Sequence, residues 1–331
     1  MRRTRSLILG GALTGAALLG IIAISLALRS GPTATPLVTA TIRASAAPSA
    51  TATPTPTPLP SLSPTPSPSP QPTPLGNSVT LPFLYMHQVV AIPPDIVTWS
   101  AADRSWFVHQ TVTVCAFDAQ LNWLERRGYH TILPRDLAAA WAGGPPLPPS
   151  PIILSFDDGS PDWYTTIFPM LLAHGFVAEF YTTLEHIGPA LTWEQLAAMA
   201  AAGMGIGGHD VNHRQLTGAT ASFSPDQMAY QVAHVKEAIE SHLGITVDSM
   251  AYVGGGYDAA LMEIVRQAGY TTARSINRGV IQTLDRRFRL RVSRIGIYDD
   301  VVGQTLLNAI GCVLDPSMAT FEARISGTDP G

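Results

Sequence analysis

Two adjacent carboxylates, Asp157 and Asp158, end an apolar run over 151–156, and Gly159 releases the chain directly after them. Neighbouring residues at a strand end point in different directions, so one carboxylate can bind a cation while the other faces a substrate. Asp-Asp-Gly is also an ordinary turn signal. Farther on, His209 and His213 follow the glycine-rich segment 204–207. Four residues apart on a helical turn, two imidazoles share a face and reach one metal, although the same spacing also suits surface or capped histidines. Together the two motifs supply one carboxylate and two imidazoles. That is the donor set of a catalytic divalent site with one position open for water. It suits zinc, and also cobalt or nickel.

The elements that must position these residues alternate. Residues 81–86, 129–133, 151–156, 176–181, 204–207, 249–253, 270–273 and 289–297 read as strands. Between them lie helical patterns: Phe117, Leu121 and Leu124, then 134–141 with proline at its first position, 163–173, 192–203, 224–243, 259–268 and 301–310. Thr192 to Gln195 and Ser224 to Gln227 are capping boxes. Met228, Val232, Val235, Ile239 and Leu243 form one apolar stripe, which Gly244 ends. Strand–helix alternation predicts an α/β domain with a parallel sheet or barrel, whose active residues collect at the C-terminal ends of strands.

Ser155 to Gly159 and Gly208 to His213 resemble the first two signature motifs of the polysaccharide deacetylase family (NodB-homology, carbohydrate esterase family 4). Weaker matches follow in order: Leu191 to Leu196, Met199 to Gly203, Leu243-Gly244, Ala251-Tyr252, Gly269-Tyr270 and Arg289 to Ile295. Pro82 to Val89 resembles the opening of a branch that includes poly-N-acetylglucosamine deacetylases. The resemblance implies a distorted (β/α) barrel of the NodB-homology type and a metal-dependent N-deacetylase. It implies Asp157 as general base and Asp158, His209 and His213 as metal ligands. It implies His87 as general acid, since no histidine follows Ile297 to supply the late one found in other branches. In such a site the metal acidifies its water, Asp157 takes the proton during attack on the acetamide carbonyl, and His87 protonates the leaving amine.

The sequence departs from the family pattern in three places. Asp210 stands where serine or threonine is usual, and caps a helix or adds negative charge beside the metal. The third motif reads Ala251 to Tyr257, with Val253 and Gly254 where the pattern has proline and tyrosine. It also lacks an arginine to orient the base, a role for which Arg294 is the candidate.

The 331 residues carry a net charge of −4, with Arg2, Arg3 and Arg5 at one end, so the rest is acidic and nucleic acid is not an expected partner. The uncharged run 6–28 is long enough to span a bilayer, and its basic flank places the N-terminus in the cytoplasm. Residues 1–30 are therefore expected to be a cytoplasmic tip and membrane anchor. Ala44 to Ala46 offers a cleavage-site alternative that would give a secreted protein. Residues 31–78, rich in proline, threonine and serine, read as a disordered linker. The catalytic domain is expected over 79–314, followed by a tail over 315–331. Cys115 and Cys312 allow one extracytoplasmic disulfide or two buried thiols. The leading expectation is an extracytoplasmic enzyme acting on an N-acetylated polysaccharide. The alternatives are a non-catalytic glycan-binding wall protein and a hydrolase of small amides or O-acetyl esters.

Overall fold

Alternating burial sets the architecture. Phe83, Tyr85, Ile153, Tyr181, Ala251 and Leu290 pack in one buried cluster. Their strand neighbours Leu84, Leu154, Phe156, Phe180 and Met250 pack in another, together with Val232, Val235, Ile239 and Leu261 from the helices. A strand with one face in each cluster is a wall between a barrel interior and an outer layer of helices. The computed structural model describes residues 75–218, 222–294, 321–323 and 325–328, all within the compact unit Ser67–Gly331.

Among the described residues the main sheet has eight strands: Phe83–Met86, His130–Thr131, Pro151–Asp158, Glu179–Thr182, Gly205–Gly208, Ser249–Ala251, Thr272–Arg278 and Leu290–Arg294. Neighbours pair in parallel throughout. Phe83–Met86 pairs both with Leu290–Arg294 and with Pro151–Asp158, which returns the sheet on itself as a nearly closed parallel α/β barrel. His130–Thr131 pairs only with the first two residues of Pro151–Asp158.

The helices form where caps and stripes allow. Pro225–Leu243 starts at Ser224, whose side chain accepts from the Gln227 amide at 3.3 Å, and stops at Gly244 in the left-handed conformation. Trp193–Ala201 starts the same way at Thr192. The expected helix over 163–173 divides into a π-helical turn, Trp163–Ile167, and an α-helix, Phe168–Ala173. The expected strand 270–273 runs instead from Thr272 to Arg278. The helix Ala101–Gln110 and the parallel pair Gln88–Val90 with Thr111–Thr113 had no clear periodic signal. Phe321 and Ile325, in the expected C-terminal tail, are buried in the helix-side cluster. Phe321 meets the Trp123 ring edge-on at 5.5 Å. Among the described residues no helix is long and apolar enough to cross a membrane. The expected anchor 1–30, most of the linker, the helix 301–310 and the Cys115–Cys312 pairing involve positions outside the described residues.

The interior holds one carboxyl with no use in the chemistry above. Glu179 is 5% exposed. It fits because Gly205 opposite it has no side chain: a Cβ there would lie 1.8 Å from Glu179 Oε2. Gly207 makes room in the same way for the Tyr181 ring, which a Cβ would meet at 2.6 Å. Burial pushes the Glu179 carboxyl from 4.5 up to about 8, against the nearby Arg135 charge. Between those values the folded chain keeps a proton that the unfolded chain has lost. The stabilisation is therefore complete below the unfolded value and fades as pH rises toward about 8. Denaturant unfolding of Glu179→Gln beside wild type is predicted to show a shallower loss of stability from about pH 5 to about pH 8. Equal slopes would contradict the buried protonated carboxyl.

Candidate metal centre and active site

Register brings the chemistry to one mouth of the barrel. Asp158 pairs with Thr182, and Thr182 pairs with Gly208. His209, the next residue, thus arrives level with Asp158 from two strands away, its amide donating to the Thr182 carbonyl at 3.0 Å. Met86 pairs with Phe156, so His87 leaves its strand beside Asp157.

The two adjacent carboxylates part at this mouth. Asp158 has φ 81°, a left-handed conformation that non-glycine residues rarely adopt and that functional sites often retain. Its Oδ1 lies 3.4 Å from His209 Nε2 and 3.0 Å from His213 Nε2. Donor atoms of Asp158, His209 and His213 all lie within 4.8 Å of one another. Asp158 Oδ1 is buried and has no hydrogen-bond partner. Burial alone would raise the Asp158 carboxyl, but side-chain contact with His209 and His213 and the charges of His209 and His87 hold it well below the usual carboxylate range. The histidine rings are set for the same task. His209 Nδ1 lies 2.7 Å from the Ala251 carbonyl oxygen, which can only accept. Nδ1 therefore carries a proton, and Nε2, the atom left to serve as a ligand, faces Asp158. A buried orphan carboxylate oxygen and an imidazole fixed in the ligating tautomer fit a divalent cation held by Asp158, His209 and His213.

His213 arrives differently from expectation. The segment 209–213 is not a helical turn: Asp210 and His213 have φ 70° and 51°. The turn is held by Asp210, which is fully buried and accepts from the His213 amide at 2.7 Å and the Arg214 amide at 2.9 Å. This is the capping role anticipated for Asp210, carried out on a loop. Burial pushes its carboxyl up to about 6, against the His209 charge and these two amides.

Asp157 points the other way, into the barrel. Arg274 Nη2 donates to both of its oxygens. Arg274 is 1% exposed and Asp157 4%. The guanidinium lies between two rings, 4.8 Å from the Tyr85 centroid and 5.2 Å from that of Tyr181. Tyr181 is fixed in turn by a 2.6 Å hydrogen bond to Ser249. Burial would lower the Arg274 pKa, but Asp157 and Tyr181 override it and raise it. Arg294 was the expected partner of the base. The arginine on Asp157 is instead Arg274, while the Arg294 backbone pairs beside Tyr85 and its side chain lies outside the described set.

His87 reaches the same mouth on a tied segment. Its carbonyl accepts from Trp163 Nε1 at 3.1 Å, and the Val89 amide donates to Asp162 Oδ2 at 2.7 Å. The sequence reading also missed His186. Its Nδ1 donates to the Asp158 carbonyl at 2.6 Å, and its ring centroid lies 6.2 Å from that of His213. The signal for Arg274 was a charge inside an otherwise buried strand, one residue beyond the expected end at 273. His186 carried no such signal.

Comparison with known proteins agrees with this geometry. Residues 144–273 match the family described as polysaccharide deacetylase. The chain is 27% identical over 156 residues to YxkH of Bacillus subtilis (strain 168), covering 46% of this chain and 54% of that protein. It is 37% identical over 84 residues to the poly-beta-1,6-N-acetyl-D-glucosamine N-deacetylase of Escherichia coli (strain K12), covering 25% of this chain and 12% of that one. The matches thus span about half, and about an eighth, of the length of these relatives. Among solved structures, the Streptococcus pyogenes deacetylase PplD in complex with acetate superposes with a TM-score of 0.58 at 23% identity, over 70% of this chain and 98% of that one. IcaB from Ammonifex degensii gives a TM-score of 0.54 at 22% identity, over 71% and 97%. The barrel is therefore a fold shared with these proteins, and residues 144–273 of this chain are similar to the polysaccharide deacetylase family.

Proposed function

We propose that this chain hydrolyses N-acetyl groups on a cell-surface or extracellular polysaccharide of the N-acetylglucosamine type, releasing acetate. The observation that carries this reading is the pairing of two sites at one barrel mouth. One is an orphan carboxylate facing two imidazoles; the other is a neighbouring carboxylate locked by a buried arginine. The E. coli relative, named for its action on poly-beta-1,6-N-acetyl-D-glucosamine, supports the substrate class.

Asp158, His209 and His213 would hold a divalent cation, with zinc fitting the donors and cobalt or nickel also suited. Bound there, the cation supplies Lewis acidity to the carbonyl and acidifies water. Asp157 accepts the proton of the attacking water, with Arg274 fixing the direction of its lone pairs. His87, just past the end of the adjacent strand, donates a proton to the amide nitrogen as the carbon–nitrogen bond breaks. Water and the acetamide become acetate and a free amino sugar. Residues 6–28 anchor the chain and 31–78 carry the domain away from the membrane; cleavage after the apolar run would release the same domain.

Acetate release from an N-acetylglucosamine oligomer should cease with chelator and return on adding zinc; release indifferent to chelation would rule out metal dependence. Asp157→Asn should lose activity about a hundredfold or more while keeping its metal. Full binding of the oligomer with no release by either protein would favour the non-catalytic glycan-binding alternative. Arg274→Met should cost about 3–5 kcal/mol of stability, because Asp157 is left charged and buried without a partner. An unchanged unfolding midpoint would contradict the buried pair.

A further inference from the structure

The glycines after the strand Ser249–Ala251 form a wall without side chains of its own, and two other segments cover it. Gly254 and Gly255 have φ 60° and 70°, a backbone that favours glycine. A Cβ on Gly254 would lie 3.5 Å from Gln215 Oε1, and one on Gly256 would lie 2.7 Å from Gln215 Nε2. The Gln215 carboxamide therefore lies across this stretch of backbone. A Cβ on Gly255 would lie 2.2 Å from Ile276 Cγ1, so Ile276 sits directly on that glycine. Both covering residues face solvent: Gln215 is exposed and Ile276 is 46% exposed.

Their position relative to the reaction is set by the chain. Gln215 follows His213 by two residues, within about 7 Å along the backbone. Side-chain exposure rises along this loop, from 3% at His209 to 39% at His213. Gln215 therefore stands on the rim just outside the ligands. Ile276 follows Arg274 on the same strand, two residues nearer the mouth. A carboxamide offering a donor and an acceptor beside an exposed aliphatic side chain matches a sugar ring, with its polar substituents and apolar C–H face.

We propose that Gln215 is a specificity-determining residue. Its carboxamide hydrogen-bonds to the sugar unit flanking the one that loses its acetyl group, and Ile276 supports that unit from below. This rests on the deacetylase reading. The test compares full-length wild type and Gln215→Ala on an N-acetylglucosamine tetramer and on para-nitrophenyl acetate, which has no flanking sugar. KM for the tetramer should rise about three- to tenfold, the effect of one lost hydrogen bond, while kcat/KM for the ester changes less than about twofold. Metal content should be equal. An unchanged tetramer KM would overturn the proposal, as would equal losses on both substrates with reduced metal, which would mark Gln215 as a support of the ligand loop. Wild type that cleaves the ester but not the tetramer would overturn the deacetylase reading itself, and this proposal with it.

Discussion

A charged guanidinium buried inside a parallel barrel is the constraint on which the site depends. Arg274 lies in a space that would otherwise be filled by apolar side chains, and an unpaired charge there would be strongly destabilising. It is made tolerable by Asp157 at one end and by the faces of Tyr85 and Tyr181 on either side. The Tyr181 ring needs room, which Gly207 provides, and an anchor, which Ser249 provides. Six strands thus cooperate to hold one carboxylate in one orientation. That is the condition for a general base that must act without first reorganising.

The neighbouring carboxylate is handled by the opposite device. Asp158 leaves the regular strand through a left-handed backbone conformation and meets two imidazoles that also leave their strand by left-handed turns. Backbone strain spent at three successive points, residues 158, 210 and 213, is repaid by placing donors that regular strands could not bring together. The third-motif strand contributes through its main chain, since the Ala251 carbonyl fixes His209. That role does not depend on the side chain absent at Gly254, and helps explain how a glycine run can stand in this wall.

Much of this was legible in the sequence. The apolar run ending in Asp157 and Asp158, the glycine strand before His209, and the capped helix Pro225–Leu243 each announce an element by local chemistry. Asp158, His209 and His213 could be grouped because strand ends meet at one mouth of a parallel barrel. What could not be read was registration across strands. Arg274 and Asp157 are 117 residues apart, and only the closing of the sheet makes them partners. The helical expectation for 209–213 failed because spacing alone does not distinguish a helical turn from a loop tied by Asp210. The expectation for Arg294 rested on motif position; among the described side chains the arginine that meets Asp157 is Arg274.

The central claim is that Asp158, His209 and His213 share one cation. Crystals of the zinc-loaded protein, measured on both sides of the zinc absorption edge, test it most directly. The expected result is one anomalous peak within about 2.0–2.2 Å of a carboxylate oxygen of Asp158 and of Nε2 of both histidines, distances usual for zinc with oxygen and nitrogen donors. A zinc-loaded protein whose only anomalous peaks lie elsewhere, with these three side chains unliganded, would contradict it.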